Sequence, residues 1–105
     1  MTSEEITTRL NAGEEAISTG DFDRAEALAA ELLSLDTINN YRYHALRIQS
    51  IASMQRGDFT RALAYGNEAL EACEAAGDPI DCAELTGIIG SIYRQLSNYS
   101  KALEY

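Results

Sequence analysis

A six-residue pattern that occurs three times constrains the fold more than any other feature of the sequence. Residues 20–25 read GDFDRA, and the pattern returns as GDFTRA at residues 57–62 and as SNYSKA at residues 97–102. The offsets between the copies are 37 and 40 residues. A pattern that recurs at such a period predicts a stack of similar units, each of which buries its apolar face against the next.

The order of residue types within the pattern predicts a tight corner between two helices. A glycine just beyond a helix can adopt the left-handed conformation that ends it, and the Asp or Asn that follows can accept hydrogen bonds from the free amides of the next helix. The aromatic residue then fills the corner, and the alanine lies where two helices cross closely. Ser97 departs from this pattern, because a non-glycine residue in the left-handed conformation costs roughly 1 kcal/mol.

The segments between the corners have the periodicity of helices. Ile88, Ile92 and Leu96, for example, lie on one helical face, and no segment keeps the two-residue alternation of a strand. The sequence therefore predicts an all-α fold, and Ser3 is expected to cap its first helix. We predict six helices, over residues 3–19, 22–35, 38–56, 59–76, 79–96 and 99 to the end.

The charge balance limits the classes of partner. The chain has 17 acidic and 8 basic side chains, a formal net charge of −9, which repels phosphate backbones and anionic membranes. A basic peptide or a basic patch on another domain suits such a surface, although the acidic charge has an alternative role in maintaining solubility alone. No apolar run approaches the ~20 residues that span a bilayer, and the polar start is unlike a secretory signal. We therefore expect a cytoplasmic protein.

At this point the residues resemble the tetratricopeptide repeat (TPR) family. The third unit matches best, with Gly90, Tyr93, Ser97, Tyr99 and Ala102 on positions where the family has Gly, Tyr, Gly, Tyr and Ala. The resemblance implies an α-solenoid of antiparallel helix pairs, with repeat 1 at about 3–36, repeat 2 at about 38–77 and a partial repeat 3 at about 79–105. Ten residues take the family's structural positions: Gly20, Phe22, Ala25, Gly57, Phe59, Ala62, Gly90, Tyr93, Tyr99 and Ala102.

The repeat spacing is longer than the family's usual ~34 residues. It is similar to long-period variants in bacterial regulatory proteins, where such repeats commonly precede signalling enzymes. The resemblance thus implies a regulatory module in a larger bacterial signalling protein. We expect the chain to be cut inside its third repeat and to be followed by an effector such as a diguanylate cyclase or a kinase.

The residue types that carry chemistry are few and scattered. His44 is the one histidine, and a histidine needs a partner base, nucleophile or co-ligands to take part in catalysis or metal binding. Cys73 and Cys82 do not form a zinc-binding spacing; a disulfide between them is conceivable, but the cytoplasm disfavours it. We therefore expect no catalytic residues, no metal and no cofactor, and hence no enzyme.

The resemblance also indicates where a partner would bind. In TPR stacks the first helix of each pair lines the concave face. The first unit contributes Thr7, Leu10, Glu14 and Ile17 there, and the positions of the second and third units include His44 and Glu84. Arg47 and Arg94 are the main cations of this face and could grip a carboxylate, or they could pair with acids of the same chain. We predict that a protein or peptide binds at Arg47, Ile51, Met54, Ser91, Arg94 and Gln95.

Self-association is the alternative function. An incomplete third repeat would leave the apolar face of the fifth helix, around Ile88, Ile92 and Tyr99, without its usual cover. Exposed apolar patches tend to find partners, and two-fold pairing is the commonest symmetry of homodimers. The sequence therefore also predicts a homodimer through the C-terminal helices.

Overall fold

The computed structural model describes residues 2–35 and 41–104, and for 99–104 it describes the backbone alone. Within these ranges the chain is helical and contains no strand. Consecutive helices pack against one another, so the prediction of an all-α stack of helix pairs is confirmed. The helices are α1 (Ser3–Thr19), α2 (Phe22–Leu33), α3 (Arg42–Gln55), α4 (Phe59–Ala76) and α5 (Pro79–Glu104).

The corners α1–α2 and α3–α4 are built alike. Gly20 and Gly57 have φ angles of +82° and +85°, the left-handed region that only glycine adopts without strain. The carboxylates of Asp21 and Asp58 each accept a hydrogen bond from the backbone amide three residues later, at 3.2 Å in both cases. The same local chemistry therefore ends one helix and starts the next in both pairs.

The cap of α1 differs from the expectation. The hydroxyl of Thr2, not Ser3, accepts a hydrogen bond from the Glu5 amide at 3.2 Å, and the Glu5 carboxylate in turn accepts one from the Thr2 amide at 3.4 Å. This reciprocal pair is a capping box. It needs a glutamate three residues after the cap, and Thr2 has that residue at the required spacing.

The third predicted corner is absent, and this part of the prediction was wrong. The chain continues as one helix through Ser97, so that the two segments predicted at 79–96 and from 99 onward form α5. Ser97 would have to adopt a left-handed conformation to end the helix, whereas the other two corners have glycine there. A helix of fewer than two turns beyond the corner would also be unstable without a packing partner. The side chains of Tyr99 and Ala102 lie outside the described residues.

Small residues allow neighbouring helices to approach closely. Ala25 and Ala29 of α2 and Ala62 and Ala69 of α4 are fully buried. At Gly66 an added Cβ would lie 3.1 Å from the Ser50 hydroxyl. Two apolar clusters result, one between α1, α2 and α3 and the other between α3, α4 and α5.

The stack places alternate helices side by side. α3 contacts every other helix, and the first helices of the pairs, α1, α3 and α5, follow one another along one face. The molecule is elongated, with extents of 51 × 29 × 20 Å. Within the described ranges, no helix combines the length and apolar character needed to cross a membrane.

Candidate functional site

The face formed by α1, α3 and α5, which we call the inner face, carries a groove. Two adjoining cavities of about 210 and 190 Å³ share the side chains of Glu14 and His44, and together they form this inner groove. α1 borders one end and α5 the other. Besides the two shared residues, the groove is lined mainly by Thr7, Leu10, Asn11, Tyr43, Arg47, Asp81 and Glu84.

Arg47 holds the middle of the inner groove together. Its Nε donates to Glu84 Oε1 at 2.9 Å, its Nη2 donates to the same oxygen at 2.5 Å, and its Nη1 donates to Glu14 Oε1. Burial opposes the charged form of this guanidinium, but the hydrogen bonds and negative charges of Glu14 and Glu84 outweigh it and raise the pKa of Arg47. One side chain of α3 is thus paired with carboxylates from α1 and α5.

A second polar contact crosses the same wall of the groove. The Tyr43 hydroxyl donates a hydrogen bond to Asp81 Oδ2 at 3.0 Å. Burial, this hydrogen bond and the nearby acidic charges raise the pKa of Tyr43 to about 12. The phenol therefore remains protonated and keeps α3 joined to the first turn of α5 throughout the neutral pH range.

The comparison with known families decides the identity of the repeats. The sequence matches the family described as Tetratricopeptide repeat over residues 10–79, which spans most of α1 and all of α2, α3 and α4. The chain belongs to the tetratricopeptide repeat family. No curated protein and no solved structure matches the chain at a significant level. TPR units generally mediate protein–protein interaction, and stacked repeats provide extended surfaces for it.

The TPR stack distributes the predicted binding residues unevenly. Of the six, only Arg47 lines the inner groove. Ile51, Met54 and Ser91 are half-buried, whereas Arg94 and Gln95 are exposed. Of the two roles predicted for Arg47, the structure shows pairing with acids of the same chain, which are Glu14 and Glu84. Within the described residues Arg94 forms no ion pair.

Several groove residues were not among the six predicted residues. The resemblance places Glu14, His44 and Glu84 on the concave face, but it does not indicate Tyr43 or Asp81. Helical spacing could have indicated both residues. Tyr43 lies one turn before Arg47 and Asp81 one turn before Glu84, so each shares a helix face with a residue assigned to the groove. The pairing between them depends on how α3 and α5 stack, which spacing within one helix does not reveal.

His44 and the cysteines take ordinary positions in the TPR stack. The His44 ring is half-buried and lies 4.1 Å from the Tyr43 ring, centroid to centroid. Cys73 is buried, and its Sγ donates a hydrogen bond to the Asp78 carbonyl oxygen at 3.4 Å. Burial together with the neighbouring Cys82 thiol raises the pKa of the Cys73 thiol to about 12. Both thiols are free. The described part of the chain contains no group of three or more His, Cys, Asp or Glu side chains that could hold a metal ion.

The residues at the TPR structural positions differ in burial between the two helix pairs and α5. Phe22 and Phe59 are half-buried at the corners, and Ala25 and Ala62 are fully buried. In α5, by contrast, Gly90 is exposed and Tyr93 is 55% exposed. The structural positions of the first two pairs are therefore packed, whereas the face of α5 that carries Gly90 and Tyr93 is exposed.

Proposed function

We propose that the chain is a non-catalytic module that binds a segment of another protein in the inner groove. The observation that carries this proposal is the groove itself, which runs across the first helices of all three units and combines apolar, polar and charged side chains. Such a surface suits an extended or helical peptide that contacts several repeats at once.

The charge of the inner groove favours a basic partner. Its lining includes the carboxylates of Glu14, Asp81 and Glu84 against one cation, Arg47, which is already paired. The whole chain has a formal net charge of −9. A segment with Lys or Arg side chains would be attracted to this face, and its association should weaken as salt is added.

The non-catalytic part of the proposal rests on the polar residues of the groove. His44 stacks on Tyr43 and forms no hydrogen bond with a nucleophile or carboxylate within the described residues. The two polar contacts, Arg47 with Glu14 and Glu84 and Tyr43 with Asp81, join helices to one another. Groups that are committed to structural contacts are poorly placed to transfer protons to a substrate.

The wider role that we propose is that of a cytoplasmic regulatory module in a bacterial signalling protein. The support is the long repeat spacing, 37 and 40 residues, which is similar to that of TPR segments in bacterial regulators. In that setting the groove would receive a partner, and an effector such as a diguanylate cyclase or a kinase would respond. This role is an analogy from the resemblance.

Site-specific photo-crosslinking tests the groove proposal. A benzophenone amino acid is placed at Asn11, which is exposed in the inner groove, or at Ala64, which is exposed on α4 away from it. We expect the Asn11 variant to be cross-linked to a protein in a bacterial extract and the Ala64 variant not to be. Cross-linking from Ala64 alone would move the binding surface off the inner face.

Homo-oligomerisation is a second candidate function, which one observation favours. The large apolar side chains that are most exposed in the described part of the chain, Ile80 at 79% and Tyr93 at 55%, both belong to α5. Exposed apolar side chains on one helix are typical of an association surface. A dimer formed through α5 would bring two inner grooves, and any attached domains, into one assembly.

A further inference from the structure

The two cysteines of the chain lie on opposite sides of the corner between α4 and α5. A connection of two residues, 77–78, joins these helices. Cys73 lies one turn before the end of α4, and Cys82 lies one turn after the start of α5. A connection this short makes the two helices antiparallel neighbours, so that residues at equal distances from the corner lie side by side.

The contacts around the corner bring the two cysteines into one small space. The Asp78 carbonyl oxygen accepts a hydrogen bond from Cys73 Sγ at 3.4 Å and another from the backbone amide of Cys82 at 3.0 Å. Cys73 is fully buried in the apolar cluster between α3, α4 and α5, and the half-buried Cys82 packs against the same cluster. Burial raises the pKa of the Cys73 thiol, and the neighbouring Cys82 thiol adds to this shift.

We propose that Cys73 and Cys82 are a reversible redox pair, which a small disulfide such as oxidised glutathione converts into an intramolecular disulfide between α4 and α5. Both thiols are free in the structure, which therefore represents the reduced form. In a reducing compartment such disulfides are usually transient and serve redox sensing. The inference does not depend on the proposed binding function, because neither cysteine lines the inner groove.

The difference in exposure between the two thiols sets the order of the steps. Cys82 is half-buried, so after losing its proton to water it can attack oxidised glutathione, bond to one sulfur and release the other half as a thiolate. The buried Cys73 then loses its proton and bonds to the Cys82 sulfur, which releases the second glutathione. Two protein thiols are thereby oxidised to one disulfide, and one oxidised glutathione is reduced to two thiols.

The disulfide would fasten the start of α5 to the rest of the stack. Asp81 and Glu84 lie in the first turns of α5 and already bond to side chains of α3. A covalent link in the same turns closes a loop over residues 73–82 and restricts the unfolded chain. Oxidation should therefore raise the midpoint temperature of unfolding by at least about 5 °C.

Intact mass and peptide mapping of the whole chain test the proposal. The chain is equilibrated with oxidised and reduced glutathione, and the remaining thiols are alkylated. We expect a product that lacks two hydrogen atoms, carries neither glutathione nor alkylating reagent, and returns to the dithiol with excess reductant. A protease that cleaves after Glu74 separates Cys73 from Cys82 in the sequence, so the fragments should stay joined only in the oxidised chain.

Two variants distinguish the pair from ordinary thiol reactivity. Cys82→Ser removes the more accessible thiol, and its buried Cys73 should take up no glutathione. Cys82→Ser with Ala83→Cys keeps two thiols but moves one to the next position of α5, which is exposed. This variant should accumulate a glutathione adduct and no internal disulfide. Neither altered position is fully buried, so thermal unfolding under reducing conditions should resemble that of the wild type.

Three results would overturn the proposal. The oxidised wild type could keep two alkylatable thiols, stop at the glutathione adduct of Cys82, or become linked to a second chain. An internal disulfide that formed equally fast in the Ala83→Cys variant would also overturn it, because the pairing would then not depend on the position of Cys82. None of these results bears on the inner groove, which is tested separately by cross-linking from Asn11.

Discussion

Arg47 is the residue on which the polar contacts of the inner face converge. Its side chain is 20% exposed, and it pairs with Glu14 of α1 and Glu84 of α5. Arg47→Met keeps much of the aliphatic packing but leaves both carboxylates without a partner. We expect a loss of about 1–2 kcal/mol in the free energy of unfolding, below the upper range for charged hydrogen bonds because the two glutamates are partly solvated. Urea denaturation measures it.

Arg42 provides the control for this prediction. It also lies on α3 and approaches an acid, Glu68, but at 4.0 Å and with 45% of its side chain exposed. Surface pairs of this kind contribute little, so Arg42→Met should change the free energy of unfolding by less than about 0.5 kcal/mol. Equal losses for the two variants would mean that Arg47 is not a bridging residue.

Tyr43 links stability to alkaline pH. Its pKa is raised from 10.0 to about 12 by burial, by the hydrogen bond to Asp81 and by nearby acids. Above pH 10 the unfolded chain loses this proton while the folded chain retains it, so the stabilising contribution is full below pH 10 and is lost between pH 10 and 12. The loss should be on the order of 2 kcal/mol, as measured by urea denaturation across that range.

Tyr43→Phe separates this effect from the titration of other groups. The variant has no phenol to ionise, so its stability should fall less steeply over the same alkaline range than that of the wild type. The other tyrosines, five of the six in the chain, are unchanged in the variant and serve as an internal control. Parallel pH profiles for the two proteins would contradict the assignment of the raised pKa to Tyr43.

Within the helices and their corners, the substitution of glycine by alanine should lower the free energy of unfolding at some sites and raise it at others. Gly20 and Gly57 have positive φ angles at the corners, so alanine there should destabilise the fold by roughly 1–2 kcal/mol for each site. Gly87 and Gly90 lie in the exposed part of α5, where alanine meets no atom and improves helix propensity. Alanine at either of these sites should stabilise the monomer by about 0.5–1 kcal/mol.

The comparison should be made at low protein concentration, so that any association through the exposed face of α5 does not affect the measured stability. Thermal unfolding of the four single variants gives the signs directly. If Gly57→Ala were neutral, the chain at that corner would have an alternative way to end α3. A destabilising Gly90→Ala in the monomer would show that another segment packs on α5.

The helices and corners were predictable where the signals are local. The pairing of glycine with a following aspartate fixed the corners at Gly20 and Gly57, and helical spacing of apolar residues indicated the helices between them. The same motif does not end the helix at Ser97. A serine is destabilised in the left-handed conformation, whereas continuing as one longer helix requires no unfavourable backbone conformation. The similarity of this motif to the other two corners does not reveal which of the two outcomes has the lower free energy.

The inner groove was less accessible to sequence analysis than the helices. The residues on its face could be assigned from repeat positions, but the three-helix bridge of Arg47 and the contact of Tyr43 with Asp81 join residues 33 to 38 positions apart. Such contacts depend on the relative rotation of stacked helices, which the repeat pattern does not specify. For this reason Arg94, predicted as an equal of Arg47, is an exposed residue of α5 instead.

At the scale of the whole molecule, the stack separates two surfaces. The inner groove combines residues from three helices and is acidic around one paired arginine, whereas the exposed face of α5 carries the large apolar side chains of Ile80 and Tyr93. Ile80 and Tyr93 do not line the inner groove, so a partner segment in the groove and a second copy on this face of α5 would occupy different surfaces. Loss of binding at one site should therefore leave the other intact.

Mapping of backbone amide NMR shifts shows which surface of the chain binds a protein segment. The protein captured through Asn11, or its basic segment, is added to isotope-labelled chain. We expect the amides of Thr7, Asn11, His44 and Glu84 to shift, while those of exposed residues on α2 and α4, such as Ala27 and Ala64, do not. Shifts confined to α2 and α4, with the groove amides unchanged, would mean that the partner does not bind in the inner groove.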